Sequence, residues 1–446
     1  MTYRTESASG MLELLRFRRD PIAYVGDIGK RGVDIRHIRA GSRHIFMVNH
    51  PELIRDILIT HDWNFVKGPG LRSSKAVLGN GLLTSEGELH RRQRRLVQPA
   101  FHSARLATYA EIMVQCAATH RGTWKSGIEY FVDEQMMRLT LQIVGRTLFS
   151  ADMQDEAAEV SKSLKNALRV FVTLNNPLAQ LLPPVRSWAR RKATQSRREI
   201  ETLLNKVVDA HRQHPETYDD MLSMLLRSHD DSSAGYMSNE LLLDECLTLF
   251  LAGHETTANA LVWTWYLLSQ HPEIEAALEA ELDAVLAGRL PTLEDVPALK
   301  YTGQVLREAM RLYPPAWIIA RDAVTAYRLG DLDAPQGSTL MMSPYATHHD
   351  PRFWPNPDVF YPERWAGEGT SARSSFSYYP FGAGTRVCIG EHFAMMEGVL
   401  LIATLAQQWR FTLVPGQQIV PFPRITLRPR RPMAFTLSRR DVRSAT

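Results

Sequence analysis

The chain of 446 residues is 44% apolar and 22% charged, the balance of an ordinary globular protein, and it is long enough to bury a prosthetic group. Its formal net charge of +4 gives no global basic field, which argues against a nucleic-acid partner, and its three cysteines show no paired spacing, which points to a reducing compartment such as the cytoplasm. The N-terminus carries no secretory h-region and no apolar run of about twenty residues, so no membrane anchor is expected.

No Ser/Gly-rich or charge-rich linker divides the sequence, so residues 1–20 read as a loose arm and 21–446 as one domain. Val33–Ile38 and His44–Val48 flank Gly41-Ser42 as a β-hairpin, and Pro51 opens a short helix to Leu58. Residues 64–88 hold Gly68, Pro69, Gly70, Gly79, Gly81 and Gly87 and read as an irregular loop with apolar teeth at Phe65, Leu71, Val77 and Leu78. In the basic run His90 to Arg95, helical spacing puts His90 and Arg94 on one face and Arg91 and Arg95 on the next. By itself that run reads first as a solvated basic helix.

From about 105 to 230 the pattern is helical, except where Pro177, Pro183 and Pro184 break it between Asn175 and Val185. Asn239 to Gln270 is apolar nearly all round and spells an interior helix of about 45 Å. Its centre, Ala252-Gly253-His254-Glu255-Thr256-Thr257, contains a helix-weakening glycine and hydroxyls that compete for backbone carbonyls, which suggests a groove. A zinc-protease reading of His254-Glu255 fails because position 258 is Ala258 and not a second histidine.

Thr302 to Leu312 reads as a helix stopped by Pro314-Pro315, with Glu308 and Arg311 on one face; alone, that is an ordinary surface pair. The next segment, Ala316 to Arg321, is strand-like, and His348-His349-Asp350 suits a hydrogen-bonded turn. Between Ser377 and Gly390, glycines surround Cys388, whose sulfur could be folded against amide N–H groups with Arg386 nearby. Such a cysteine is a thiolate metal ligand, a nucleophile or simply a small buried hydrophobe. Glu391 to Trp409 then reads as a helix, and Val420–Pro423 with Ile425–Leu427 as a terminal β-turn.

The pattern Phe381-x-x-Gly384-x-Arg386-x-Cys388-x-Gly390 resembles the haem-binding signature of the cytochrome P450 family. Ala252-Gly253-x-Glu255-Thr256, the Glu308-x-x-Arg311 pair and Tyr361-Pro362-Glu363-Arg364-Trp365 resemble three further family motifs in the family order. The resemblance implies a mainly α fold, a helical body with small β-sheets enclosing haem b. It implies that Cys388 is the axial iron ligand and that Phe381, Gly384 and Arg386 of the same loop also bind the cofactor. His90, Arg94 and Arg321 would reach the haem propionates, and Ala252 and Gly253 would line the oxygen side. Thr256 and Glu255 would manage oxygen and protons, while Glu308, Arg311 and Arg364 would form a buried network.

The implied activity is monooxygenation, hydroxylation or epoxidation of a hydrophobic substrate such as a terpenoid, fatty acid or carotenoid. O2 is then the co-substrate, and electrons come from NAD(P)H through a separate ferredoxin or flavodoxin with its reductase, since no reductase segment is evident. Arg91, Arg95 and Arg386 would form the docking face of a monomer. The segment at 64–88 would roof the cavity, and that at 175–185 would form its flap, with Phe171, Leu178, Leu249, Trp317, Ile318 and Ile319 facing substrate. Alternatives are a peroxide-driven or isomerase-type enzyme of the same fold, or a non-catalytic haem-binding sensor.

Overall fold

A computed structural model describes residues 2–152, 183–227, 237–367 and 375–440. The strands are β1 (Thr5–Ser9), β2 (Ile35–Ala40), β3 (Arg43–Val48), β4 (Phe65–Lys67), β5 (Ile128–Phe131), β6 (Ile319–Ala323), β7 (Tyr327–Leu329), β8 (Leu332–Ala334), β9 (Thr339–Met342), β10 (Trp409–Leu413), β11 (Pro421–Pro423), β12 (Leu427–Pro429) and β13 (Ala434–Arg439). Six of them make one mixed sheet in the order β1-β2-β3-β9-β6-β4; β10-β13-β5 make a three-stranded sheet, and β11-β12 and β7-β8 are two-stranded. The rest is mostly helical, as expected.

The hairpin falls where the alternation puts it, with Ile35 opposite Val48 and Gly41 at φ +63° in the turn. The arm expected at residues 1–20 is corrected: β1 pairs in parallel with β2, and Met11–Arg19 is a helix running into a second, Pro21–Lys30. Backbone groups that the edge of β2 would leave unpaired are what order Thr5–Ser9. The loop expected at 64–88 also proves partly regular, since Phe65–Lys67 is a strand and Pro69–Leu78 a helix. Its glycines sit at the ends, Gly68 as N-cap and Gly79 as C-cap at φ +61°, with Pro69 at the first helical position. The expected flap and two candidate cavity residues, Phe171 and Leu178, lie outside the described residues, except that 183–185 open the helix Pro183–Gln213.

The Asn239–Gln270 helix runs through the middle of the core, started by the Ser238 side chain accepting from Leu241 N at 3.2 Å and stopped ahead of Pro272. Against it pack Val132–Leu148, Lys300–Leu312 and Glu391–Ala406. The last of these ends short of the expected Trp409, which instead begins β10. Burial removes apolar side chains such as Phe250, Trp263, Trp265 and Leu401 from water, at roughly 1.5–3 kcal/mol each.

Candidate functional site

The candidate residues lie on four segments: the end of β4 with the helix Gly87–Val97, strand β6 and the loop from Phe381 to Gly390, which contact one another, and the centre of the Asn239–Gln270 helix. The loop is held from within. Cys388 N donates to Phe381 O at 2.9 Å, and Gly382 and Gly384 take φ +70°. Any Cβ on Gly384 would run into the carbonyl oxygen of Leu58, in the π-helical turn Asp56–Thr60. Gly384 therefore shapes the loop by letting two backbones touch. Phe381 contributes the carbonyl and a side chain packed against the main core.

Cys388 keeps accessible surface although it lies deep in the fold, whereas the other two cysteines are buried. The surrounding protein pushes its thiol up, while the Gly390 N–H and Arg94 pull it down. A metal ion would reverse that balance, because a coordinated thiol loses its proton outright.

The cation near the sulfur differs from the one expected. Arg386 turns away, donating to Ser85 O at 2.8 Å and pairing with Glu86. Arg94 instead donates to Val387 O at 2.8 Å, bracing the peptide just before Cys388. Arg386 is also largely covered, at 16% side-chain exposure, so it does not belong to an exposed docking face.

A group of cations lies between these elements. His90 is buried on the inner face of its helix, and burial followed by Arg386, Lys67 and Arg94 lowers it to about 3, leaving a neutral imidazole. Arg321 is depressed to about 10 by burial and by Arg386. Lys67, which sequence reasoning missed, is 6% exposed and depressed to about 7 by burial, then by Arg386. In the β4–β6 register it stands directly opposite Arg321, a like-charge pair that strands ordinarily avoid. Glu86 is the acidic group that acts on both of them, with Asp62 also acting on Arg321. Its only sequence signal is a lysine ending a three-residue apolar strand.

This donor set lacks negative charge of about the amount that two carboxylates would bring. Together with the reachable Cys388 sulfur it fits a haem, whose propionates would meet Lys67, His90, Arg94, Arg321 and Arg386. Among the described residues no group of three or more His, Cys, Asp or Glu could hold a bare metal ion, which sets His254-Glu255 and His348-His349-Asp350 aside as metal centres. His349 instead bonds Tyr345 O at 2.8 Å, and Asp350 accepts from Asn49 and Arg352.

In the central helix, Ala252 is exposed although its neighbours two and three residues on are buried, and Thr256 donates its hydroxyl to Ala252 O at 2.8 Å. At Gly253 a Cβ would come within 2.9 Å of Val144, so this glycine admits the neighbouring helix. Glu255 does not bond Thr256. Its Oε1 accepts from Thr426 at 2.6 Å, and Asn259 donates to Thr426 Oγ1 at 3.1 Å.

The Glu308 network is fully assembled. Glu308 accepts from Arg311 at 2.8 and 2.9 Å, from Arg364 at 2.7 Å and from Trp365 at 2.9 Å, with both Glu308 and Arg311 at 0% exposure. Trp317, expected to face substrate, is core: it packs on Phe17 and donates to Arg424 O at 3.0 Å. Phe65 likewise packs on Tyr327, 5.0 Å between ring centres.

Residues 10–436 match the family model described as Cytochrome P450. The chain is 39% identical to the cyclooctatin synthase of Streptomyces melanosporofaciens, covering 93% of this chain and 90% of that protein. It is 33% identical to the cyclooctat-9-en-7-ol 5-monooxygenase of the same organism (93% and 91% covered) and 34% identical to the pentalenene oxygenase of Streptomyces avermitilis (93% and 92% covered). The crystal structure of the cytochrome P450DA haem domain superposes with a TM-score of 0.88 at 25% identity, covering 100% of this chain and 99% of that one.

Proposed function

Because this chain belongs to the cytochrome P450 family and is a monooxygenase, an oxidoreductase that incorporates oxygen from O2 into a hydrophobic substrate, we propose that its substrate is a terpenoid, hydroxylated or epoxidised at one position. One observation carries this: the three relatives above, each matched over nine-tenths of both chains, are named for cyclooctatin, cyclooctat-9-en-7-ol and pentalenene.

Haem b, when bound through Cys388, supplies the oxygen activation, and a thiolate ligand favours O–O cleavage. The protein's part is electrostatic and positional. Lys67, His90, Arg94, Arg321 and Arg386 would hold the propionates. Arg94 and the Gly390 N–H offset negative charge on the sulfur. Ala252 keeps a small side chain at the groove of the central helix. Thr256 spends its own proton on Ala252 O, which leaves its oxygen free to accept a hydrogen bond from oxygen-bound or water protons, and Glu255 supplies the protons.

Electrons from NAD(P)H would arrive through a ferredoxin or flavodoxin with its reductase. Arg91 and Arg95, exposed on the outer face of the Gly87–Val97 helix, offer a basic surface to an acidic donor. Among the described residues no helix is long and apolar enough to cross a membrane. From the three cysteines without paired spacing we propose a reducing, cytoplasmic location, and we propose a monomer.

The test is a visible-spectrum titration of the ferric protein with sesquiterpenes, diterpenes, fatty acids, steroids and carotenoids. A blue shift of the Soret band with the terpenes alone is the expected result. A shift with fatty acids but with no isoprenoid would overturn the substrate class and leave the family untouched; a carotenoid, itself a tetraterpenoid, would stay within it.

A further inference from the structure

The acid of the central helix is tied to the far end of the chain. Glu255 is 5% exposed and Thr426, in the turn between β11 and β12, is 4% exposed. Asn259 Nδ2 donates both to Glu255 O, at 2.9 Å, and to Thr426 Oγ1, at 3.1 Å. A backbone carbonyl only accepts, so that contact fixes which end of the Asn259 amide is nitrogen. The Thr426 oxygen must then accept from Asn259, and its single proton goes to Glu255 Oε1, 2.6 Å away. The chain of donors therefore has one direction, Asn259 to Thr426 to Glu255.

The turn itself is pinned on both sides. Trp263 of the same central helix donates to Leu427 O at 3.1 Å, and Leu427 N donates to Pro315 O at 2.9 Å. Trp317 fixes Arg424 O at 3.0 Å, and Arg424 N closes onto Thr426 O at 3.0 Å. Thr426 thus has little freedom to follow Glu255 if the carboxylate moves. The hydroxyl next along the helix, Thr256, is committed to Ala252 O and makes no competing bond to the acid.

We propose that Thr426 is a positioning residue for the reaction: oriented by Asn259, it parks the Glu255 carboxylate away from Thr256, so that each proton delivery requires Glu255 to leave and regain one defined hydrogen bond. The inference rests on the reading of Glu255 as the proton-supplying acid.

The experiment compares Thr426→Val, Thr426→Ser, Glu255→Gln and the double variant Thr426→Val/Glu255→Gln in the haem-loaded enzyme. Its readouts are kcat, KM, the share of reducing equivalents recovered in product, and the infrared carboxylate stretch that Glu255→Gln removes. Thr426→Val should lower coupling by about threefold to tenfold, on the scale of one ordinary hydrogen bond, because a carboxylate no longer parked delivers protons out of step with reduction, while kcat for oxygen consumption does not fall and KM stays within about twofold. It should also shift the Glu255 infrared band, and Thr426→Ser should restore both. In the Glu255→Gln background, Thr426→Val should have no further effect.

If Thr426→Val leaves coupling and the band unchanged, or if its effect adds in full to that of Glu255→Gln, Thr426 is packing and the proposal fails while Glu255 keeps its role. If Glu255→Gln itself turns over with full coupling, the acid has been misassigned and the proposal falls with it. Should Thr426→Val not fold, Asn259→Ala removes the orienting donor, and the same two readouts should move in the same direction.

Discussion

Replacing Lys67 by methionine should stabilise the haem-free protein and weaken its grip on haem. The lysine is nearly buried, stands across the β4–β6 pairing from Arg321, and is lowered from 10.5 to about 7 by burial and then by Arg386. That gap corresponds to roughly 5 kcal/mol of penalty on the charged form. The sign follows from proton counts. Between about 7 and 10.5 the unfolded chain carries a proton that the folded chain lacks, so stability rises with pH across that window, and the full penalty is in place once pH has fallen to about 7 and below. Methionine keeps the packing and removes the penalty. It also leaves the carbonyls of Leu82 and Leu83 without the donor that Nζ gives them, at about 1–3 kcal/mol. The net expected gain is about 2 kcal/mol at pH 7, vanishing or reversing near pH 10. Haem affinity should fall by about tenfold or more, the scale of one charge-assisted hydrogen bond. Denaturant unfolding of the haem-free protein at pH 7 and pH 10, with an absorbance titration of haem, reads both effects. A Lys67→Met protein that is less stable at pH 7, or that binds haem unchanged, would refute the view that this lysine is held in place for an anionic ligand.

Glu308→Gln should leave the guanidinium groups of Arg311 and Arg364 buried with half their compensation, at roughly 3–5 kcal/mol; an unaltered melting temperature of the haem-loaded protein would contradict this. Glu397, fully buried beside Thr257 with no geometric partner for either oxygen, is raised to about 8 by burial. Its folded value lies above its unfolded one, so its contribution is present at low pH and disappears as pH climbs to 8; Glu397→Gln should flatten the denaturant midpoint between pH 5.5 and 8.5. In Thr256→Ala, haem should stay bound while reducing equivalents drain to peroxide, and tight coupling in that variant would make Thr256 ordinary helix packing. Charge reversal at Arg91 and Arg95 should slow reduction by an acidic donor and blunt its salt dependence, as measured by stopped-flow reduction at two ionic strengths.

The parts of this molecule readable from sequence are those whose cause is local. The bounds of the Asn239–Gln270 helix follow from Ser238 as N-cap, an uninterrupted apolar run and Pro272. The same holds for the hairpin about Gly41 and for the loop of Cys388. Reading failed where a partner distant in sequence decides the outcome. Thr5–Ser9 has no strand pattern of its own and is ordered by β2, some thirty residues on. The glycines at 68 and 79 suggested an irregular loop because a helix capped at both ends by glycine looks, in composition, like one. In the site, the sequence puts Arg386 beside Cys388 and the resemblance puts Arg94 at the haem propionates, and only the fold shows that Glu86 captures Arg386 while Arg94 braces the loop. Thr426 lies 171 residues from the acid it holds, with nothing around it to mark it.

The two sides of the site are built on opposite electrostatic plans. On the side of Lys67, His90, Arg94, Arg321 and Arg386, repulsion and desolvation leave the protein's own charges poorly balanced, and a dianionic ligand is what completes them. On the side of Glu255, Thr256, Asn259 and Thr426, each side chain named already has a hydrogen-bond partner within the protein. On the proposed reading, haem binding would order the first wall, while the second is already ordered by hydrogen bonds within the protein. With Glu255 assigned as the acid, it has to give up its bond to Thr426 before it acts, and control of proton supply would then lie in the protein rather than in the cofactor.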